Sequence, residues 1–188
     1  MKILSIGNSF SQDAHRWLHS IAASSGMNID TYNLFIGGCS LEQHFNCIEK
    51  NLCDYDKEGN DGEFICKTTV LDALKSDKFD VITLQQVSGH SGRPQTYLPY
   101  LTDIAELVKK YQPQAKIYFH ETWSYEIGST HGDFKYYNND QSEMHRRIND
   151  AATFAGKLID AQVIRVGDVI QYLRDNASEF DIKNGGLS

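Results

Sequence analysis

Ser9 is the residue best placed to do chemistry. It stands in the run Ile6-Gly7-Asn8-Ser9-Phe10-Ser11, directly after the short apolar segment Lys2 to Ile6 and directly before an amphipathic stretch. A strand that turns sharply into a helix sets its turn residues at the carboxyl edge of a sheet, where open α/β proteins bind ligands. The first N–H groups of such a helix can receive a developing negative charge. That is a setting for a nucleophilic serine. The same residues also read as a helix cap: Ser9-x-x-Gln12 is a capping-box pattern, and Ser11 with Asp13 in the first turn is another N-cap.

Other strand ends supply what acyl transfer needs besides a nucleophile: oxyanion donors and a base. Gly38 follows the second apolar run, and its N–H can approach substrate without a Cβ in the way. Gln85 and Gln86 end a third run. His120-Glu121-Thr122-Trp123 ends a fourth. Loss of one oxyanion donor typically costs about 10²–10³ in rate. Trp123 and Tyr125 are expected to meet substrate, since aromatic faces suit sugar rings or acyl groups, and Asn8 beside the nucleophile is expected to meet it too. Trp123, Tyr125, Tyr136 and Tyr137 read equally well as a satellite core under a long loop.

The chain holds seven histidines as candidates for the base. His15 and His19 fall on the first helix and read as structural or solvated, and His44 and His145 read as surface positions. His90 and His131 lie in loops that can reach the sheet edge. His120, at a strand end, is the best in-chain base. Adjacent strand residues point to opposite faces, so Glu121 does not orient it.

Residues 2–7 read as a buried strand. Ala14, Trp17, Leu18, Ile21 and Ala22 then give one apolar helical face. Residues 28–36 read as a second strand, and Leu41, Phe45, Ile48 and Leu52 as a short helix. Residues 53–69 read as an antiparallel excursion around the turn Lys57 to Gly62. A short helix near 69–76, a central strand over 80–84, a loop over 88–94 and a long helix ending before Pro113 follow. Lys116 to Glu121 is a strand, and the aromatic-rich stretch after it is a loop. A helix around Ile148 to Leu158, a strand over 162–166 and a helix over 168–177 complete the chain. Alternating strands and helices imply a three-layer α/β/α sandwich on a mainly parallel five-stranded sheet, with a small hairpin insertion.

A length of 188 residues suits a single domain. The net charge of −7 argues against nucleic acid and polyanionic membrane surfaces as partners. No run approaches the ~20 apolar residues of a membrane span. Lys2 is followed by only four residues before the Gly7 turn, which is no signal peptide, so a cytoplasmic location is expected. Cys39, Cys47, Cys53 and Cys66 form no Cys-x-x-Cys pair and no zinc-like spacing with histidine. They read as free thiols, with no metal. The first turn matches neither Gly-x-Gly-x-x-Gly nor a Walker loop, so flavin or nucleotide binding has no motif behind it.

These blocks resemble the SGNH (GDSL-type) hydrolases. Gly7-Asn8-Ser9 looks like that family's first block, with Asn where Asp is usual. Gly37-Gly38 falls where its second block supplies a glycine. Asp80 to Gln86 falls where its third block ends a strand, with Gln86 in place of the usual Asn. Gly-Asn-Ser-Phe-Ser, Leu84-Gln85-Gln86 and Thr122-Trp123-Ser124-Tyr125 are most similar to a bacterial SGNH-like group. The resemblance spans nearly the whole chain.

It implies a flavodoxin-like fold and a serine esterase that removes short acyl groups, including from carbohydrate, with no cofactor. Ser9 is then the nucleophile, and Ser9, Gly38 and Gln86 form the oxyanion hole. The substrate is a small-molecule or carbohydrate ester, and oligomeric state is left open. The family's base is a histidine in a C-terminal Asp-x-x-His block, and no such block occurs after residue 160. Three readings follow: the chain is truncated before the block, another residue is the base, or the domain is a non-catalytic, carbohydrate-binding relative.

Overall fold

The computed structural model describes residues 1–176. Its strands are β1 (Lys2–Gly7), β2 (Asp30–Phe35), β3 (Tyr55–Glu58), β4 (Phe64–Thr68), β5 (Val81–Gln85), β6 (Lys116–His120) and β7 (Gln162–Ile164). They form one sheet in the order β4-β3-β2-β1-β5-β6-β7. β1, β2, β5, β6 and β7 are the expected five parallel strands. The hairpin is not a separate insertion. β3 pairs antiparallel to β2 and β4 to β3, so the sheet has seven strands among the described residues. The hairpin covers the backbone groups that β2 would otherwise leave open as an edge. Its turn carries Asp61 at φ 56° and Gly62 at φ 82°.

The helices are α1 (Ser9–Ser24), α2 (Leu41–Glu49), α3 (Val70–Ser76), α4 (Ser88–Ser91), α5 (Tyr100–Tyr111), α6 (Gln141–Ile159) and α7 (Val166–Asn176). α4 and a 3₁₀ turn over Pro94–Thr96 occupy the stretch expected to be a plain loop. Three starts have sequence-readable caps. Ser40 caps α2, Thr69 caps α3 and Asp140 caps α6, each accepting from an N–H three residues on.

Strand alternation divides the core in two. Leu4, Ile6, Leu34, Ile82, Leu84 and Phe119 face one way and join the large cluster with α2, α3, α5 and α6. Leu4, Leu34 and Ile82 are fully buried there, each contributing about 1.5–3 kcal/mol. The other face, under α1, is more polar. Ile3, Ala22 and Ile29 form a small cluster there with Leu18 and Val81. Beside it Ser5 Oγ lies 2.7 Å from His15 Nε2 and 2.6 Å from Thr83 Oγ1. Among the described residues no helix is long and apolar enough to cross a membrane.

Candidate active site at the first strand–helix turn

β1 delivers the chain to Gly7 at the sheet's carboxyl edge. A Cβ there would strike Ser11 Oγ and come within 2.8 Å of Gln85 Oε1, so glycine lets those two buried side chains close over the strand end. Asn8 comes next and is fully buried. It is the N-cap of α1: Oδ1 accepts the Phe10 N–H at 3.2 Å. Neither Ser9 nor Ser11 caps the helix. Ser11 is instead buried, with Oγ 2.8 Å from Asn33 Oδ1 and 2.9 Å from the Asn8 carbonyl. Ser9 is left as the first helical residue, exposed, with its N–H unpaired by any described residue.

Asn8 also corrects an expectation. Its Nδ2 donates to the Cys39 carbonyl at 2.9 Å, and its Oδ1 accepts from Gln85 Nε2. With no surface left, it does not meet substrate. It ties the β1–α1 turn to the β2–α2 turn, where Gly38 is exposed at φ 64° and its Cβ position is open. A φ of that sign suits glycine, and its N–H donates to no described residue. The two expected backbone donors, at Ser9 and Gly38, therefore sit on turns joined by one carboxamide.

Gln86 does not complete an oxyanion hole. Its Oε1 accepts the N–H of Leu41 at 3.0 Å and of Val87 at 2.8 Å, and its Nε2 lies 3.1 Å from the Thr96 carbonyl and 3.2 Å from Thr96 Oγ1. The side chain is spent on holding three loops together. Gln85 faces the other side, under the turn, where its Nε2 is committed to Asn8.

Ser9 opens onto a cleft of about 530 Å³, whose lining includes Phe10, Asp13, Ser88, Trp123, Tyr125 and His131. The rings of Phe10 and Trp123 meet edge to face, with centroids 4.3 Å apart. Tyr125 stacks on His131 at 4.4 Å and its hydroxyl lies 2.9 Å from Ser88 Oγ. Burial pushes the Tyr125 phenol up to about 12, so it stays protonated. The aromatic loop thus divides between its two readings. Trp123 and Tyr125 wall the cleft, Tyr137 lies in a satellite core with Phe134, Met144 and Ile148, and Tyr136 is largely exposed.

The structure does not bring His120 to Ser9. His120 is buried on the α1 side of the sheet, in register with Gln85, and does not line the cleft. Burial lowers its pKa to about 4. Glu121 does face the other way, where Arg165 reaches its Oε1 at 3.1 Å. His44, expected at the surface, is buried and lies 2.8 Å from the Tyr55 hydroxyl, because α2 turns it inward against β3. His15 is buried against Ser5. His131 does reach the cleft. Its Nδ1 accepts the Asp133 N–H at 3.2 Å, which places the ring proton on Nε2 when the ring is neutral. Among residues 1–176 no histidine is hydrogen-bonded to Ser9 Oγ.

Asp13 and Ser88 are cleft residues that the sequence did not single out. Asp13 was legible in principle, because position i+4 shares a helix face with Ser9. Among the described residues no cluster of three or more His, Cys, Asp or Glu could hold a metal ion.

A family model described as "Domain of unknown function (DUF4886)" matches residues 2–185. A crystal structure of a DUF4886 family protein from Bacteroides uniformis is similar at 34% identity and a TM-score of 0.88, over 93% of this chain and 70% of that one. A protein from Slackia heliotrinireducens, classed by inference as an SGNH hydrolase, aligns at 19% identity and a TM-score of 0.66, over 96% of this chain and 85% of that one. The acetyl xylan esterase AlAXEase aligns at 13% identity and a TM-score of 0.52, over 98% and 83%. The last two establish the fold alone. No curated protein matches the sequence.

Proposed function

The chain belongs to the DUF4886 family and has the SGNH hydrolase fold, and from that premise we propose that it is a serine ester hydrolase removing short acyl groups, including acyl groups on carbohydrates. One observation carries the reading. Ser9 is exposed at the N-terminus of a 16-residue helix, at the mouth of an aromatic-walled cleft, with its own N–H unpaired by any described residue.

Ser9 Oγ attacks the acyl carbonyl. The tetrahedral oxyanion is held by the N–H of Ser9 and the N–H of Gly38, aided by the positive end of α1. Trp123 and Tyr125 grip the rest of the substrate. The serine proton needs an acceptor, which the resemblance places on the histidine of an Asp-x-x-His block. His131 would first have to release the Asp133 N–H to serve that role from Nδ1. Carbohydrate esters suit the cleft's mixture of aromatic faces and hydroxyls. The acetyl xylan esterase that shares the fold is consistent with that class.

The test is hydrolysis of p-nitrophenyl acetate by wild type and Ser9→Ala. The variant is expected to fall to the background rate, and turnover retained by it ends the proposal. A ligand-binding module on the same fold is the second reading, favoured by the lack of a histidine bonded to Ser9 among residues 1–176. It predicts no turnover by wild type, together with acetylated xylo-oligosaccharide raising the Tm of wild type and Ser9→Ala alike.

A further inference from the structure

We propose that the cleft selects esters carrying a cationic group, such as those of amino alcohols or amino sugars, and that Asp13 is the residue that selects them. The proposal rests on reading the Ser9 cleft as the ester site.

The charges around the cleft are one-sided. Among the described residues its lining contains the carboxylates of Asp13 and Glu126, the imidazole of His131 and no lysine or arginine. Arg174 lies behind the wall. Its Nη1 is 3.0 Å from the Ser124 carbonyl, and it interacts electrostatically with Glu126. The charge of Glu126 is thereby partly offset. Asp13 is exposed and makes no ion pair with Arg16, its neighbour one turn along α1.

Geometry places that carboxylate usefully. Positions i and i+4 of a helix have Cβ atoms about 5–6 Å apart on one face. Asp13 therefore stands about one helical turn from Ser9, on the same side. In a choline-type ester the nitrogen lies two carbons beyond the ester oxygen, a comparable reach from the carbonyl carbon. With the carbonyl at Ser9, the cation would fall beside Asp13 and against the Phe10 and Trp123 rings. Aromatic faces attract a cation by their quadrupole, most strongly when it is poorly hydrated, as a quaternary ammonium is. An anionic ester would meet Asp13 repulsively at the same point.

The probes are acetylcholine and 3,3-dimethylbutyl acetate, which match in shape and differ in charge. Their dissociation constants are measured by calorimetry on Ser9→Ala, and their KM values on wild type. The expected result is about tenfold tighter binding of the charged ester at low salt. That preference should shrink as ionic strength rises. Asp13→Asn in the Ser9→Ala background should bring the ratio of the two dissociation constants toward one, and Asp13→Glu should restore much of it. Equal binding of the two esters, or a preference that survives Asp13→Asn in folded protein, overturns the proposal. Failure of the hydrolase reading looks different: neither ester would turn over on wild type, while the binding ratio would still report on Asp13.

Discussion

At the scale of the residue, Asn8 explains why this chain carries Gly-Asn-Ser where the related hydrolases usually carry Gly-Asp-Ser. Its amide must give and accept at once. Nδ2 donates to the Cys39 carbonyl while Oδ1 accepts from Phe10 and Gln85. A carboxylate can only accept, and would set a charge against a carbonyl oxygen. Asn8→Asp is therefore expected to cost about 1–3 kcal/mol of stability, measured by urea unfolding. Ester turnover should fall as well, since this residue joins the Ser9 turn to the Gly38 turn. A variant as stable as wild type would show that the tie matters little. The sequence pointed to Ser9 and Gly38 because a nucleophile and a turn glycine have residue-type signatures. It misassigned Asn8, Gln86 and His120, whose roles depend on where each side chain points once three loops converge. Strand alternation separated His120 from Glu121, but it could not say which face held the cleft.

At the scale of the element, the two walls of the cleft are held from behind by Tyr137. Its hydroxyl accepts the Gly92 N–H at 3.0 Å and donates to the Gly89 carbonyl at 3.1 Å. Those bonds fasten α4, which carries the cleft residue Ser88, to the 3₁₀ turn Phe134–Tyr137. Tyr137→Phe keeps the ring among Phe134, Met144 and Ile148 but leaves both backbone groups without that partner. The expected loss is about 1–3 kcal/mol, with faster amide exchange at Gly92 than at amides of β5. Unchanged exchange at Gly92 would mean that α4 is held by other contacts. Periodicity made the long elements legible: β1, α5 and α6 carry clear patterns of buried residues, whereas α1 forms where expected but turns Ser11, His15 and Ala22 inward and leaves Ala14, Trp17 and Ile21 of its expected apolar face exposed, because the sheet face beneath it is polar. The hairpin was legible as a hairpin but not as part of the sheet. Its pairing to β2 is a long-range choice, and β4 faces solvent along most of its length. α4 was missed because its four residues, Ser88-Gly89-His90-Ser91, have the composition of a turn.

At the scale of the whole molecule, the distribution of buried histidines sets how the fold responds to acid. Burial lowers the pKa of His15 to about 4, of His44 to about 3 and of His120 to about 4, from 6.5; the neighbouring His120 also contributes at His15. In the unfolded chain all three regain ordinary values near 6.5. Between about pH 6.5 and 4 the unfolded state takes up protons that the native state refuses. Their contribution is complete above pH 6.5 and is lost as pH falls toward 4. Each histidine adds up to about 1.4 kcal/mol per pH unit within that window. Glu121 works in the opposite sense. Burial raises its carboxyl pKa, ahead of the influence of Asp168, so it favours the fold on the acid side. It stands against these three histidines and against His90, whose pKa burial also lowers. Urea midpoints measured at pH 7, 6 and 5 should therefore fall steadily, with the steeper loss between 6 and 5. A flat profile would mean that water reaches these histidines in the native state. His44 gives the cleanest local check, because it is the most deeply buried of the three and is bonded to Tyr55 across α2 and β3. His44→Gln should flatten the acid slope by close to one proton, so an unchanged slope would remove His44 from the account.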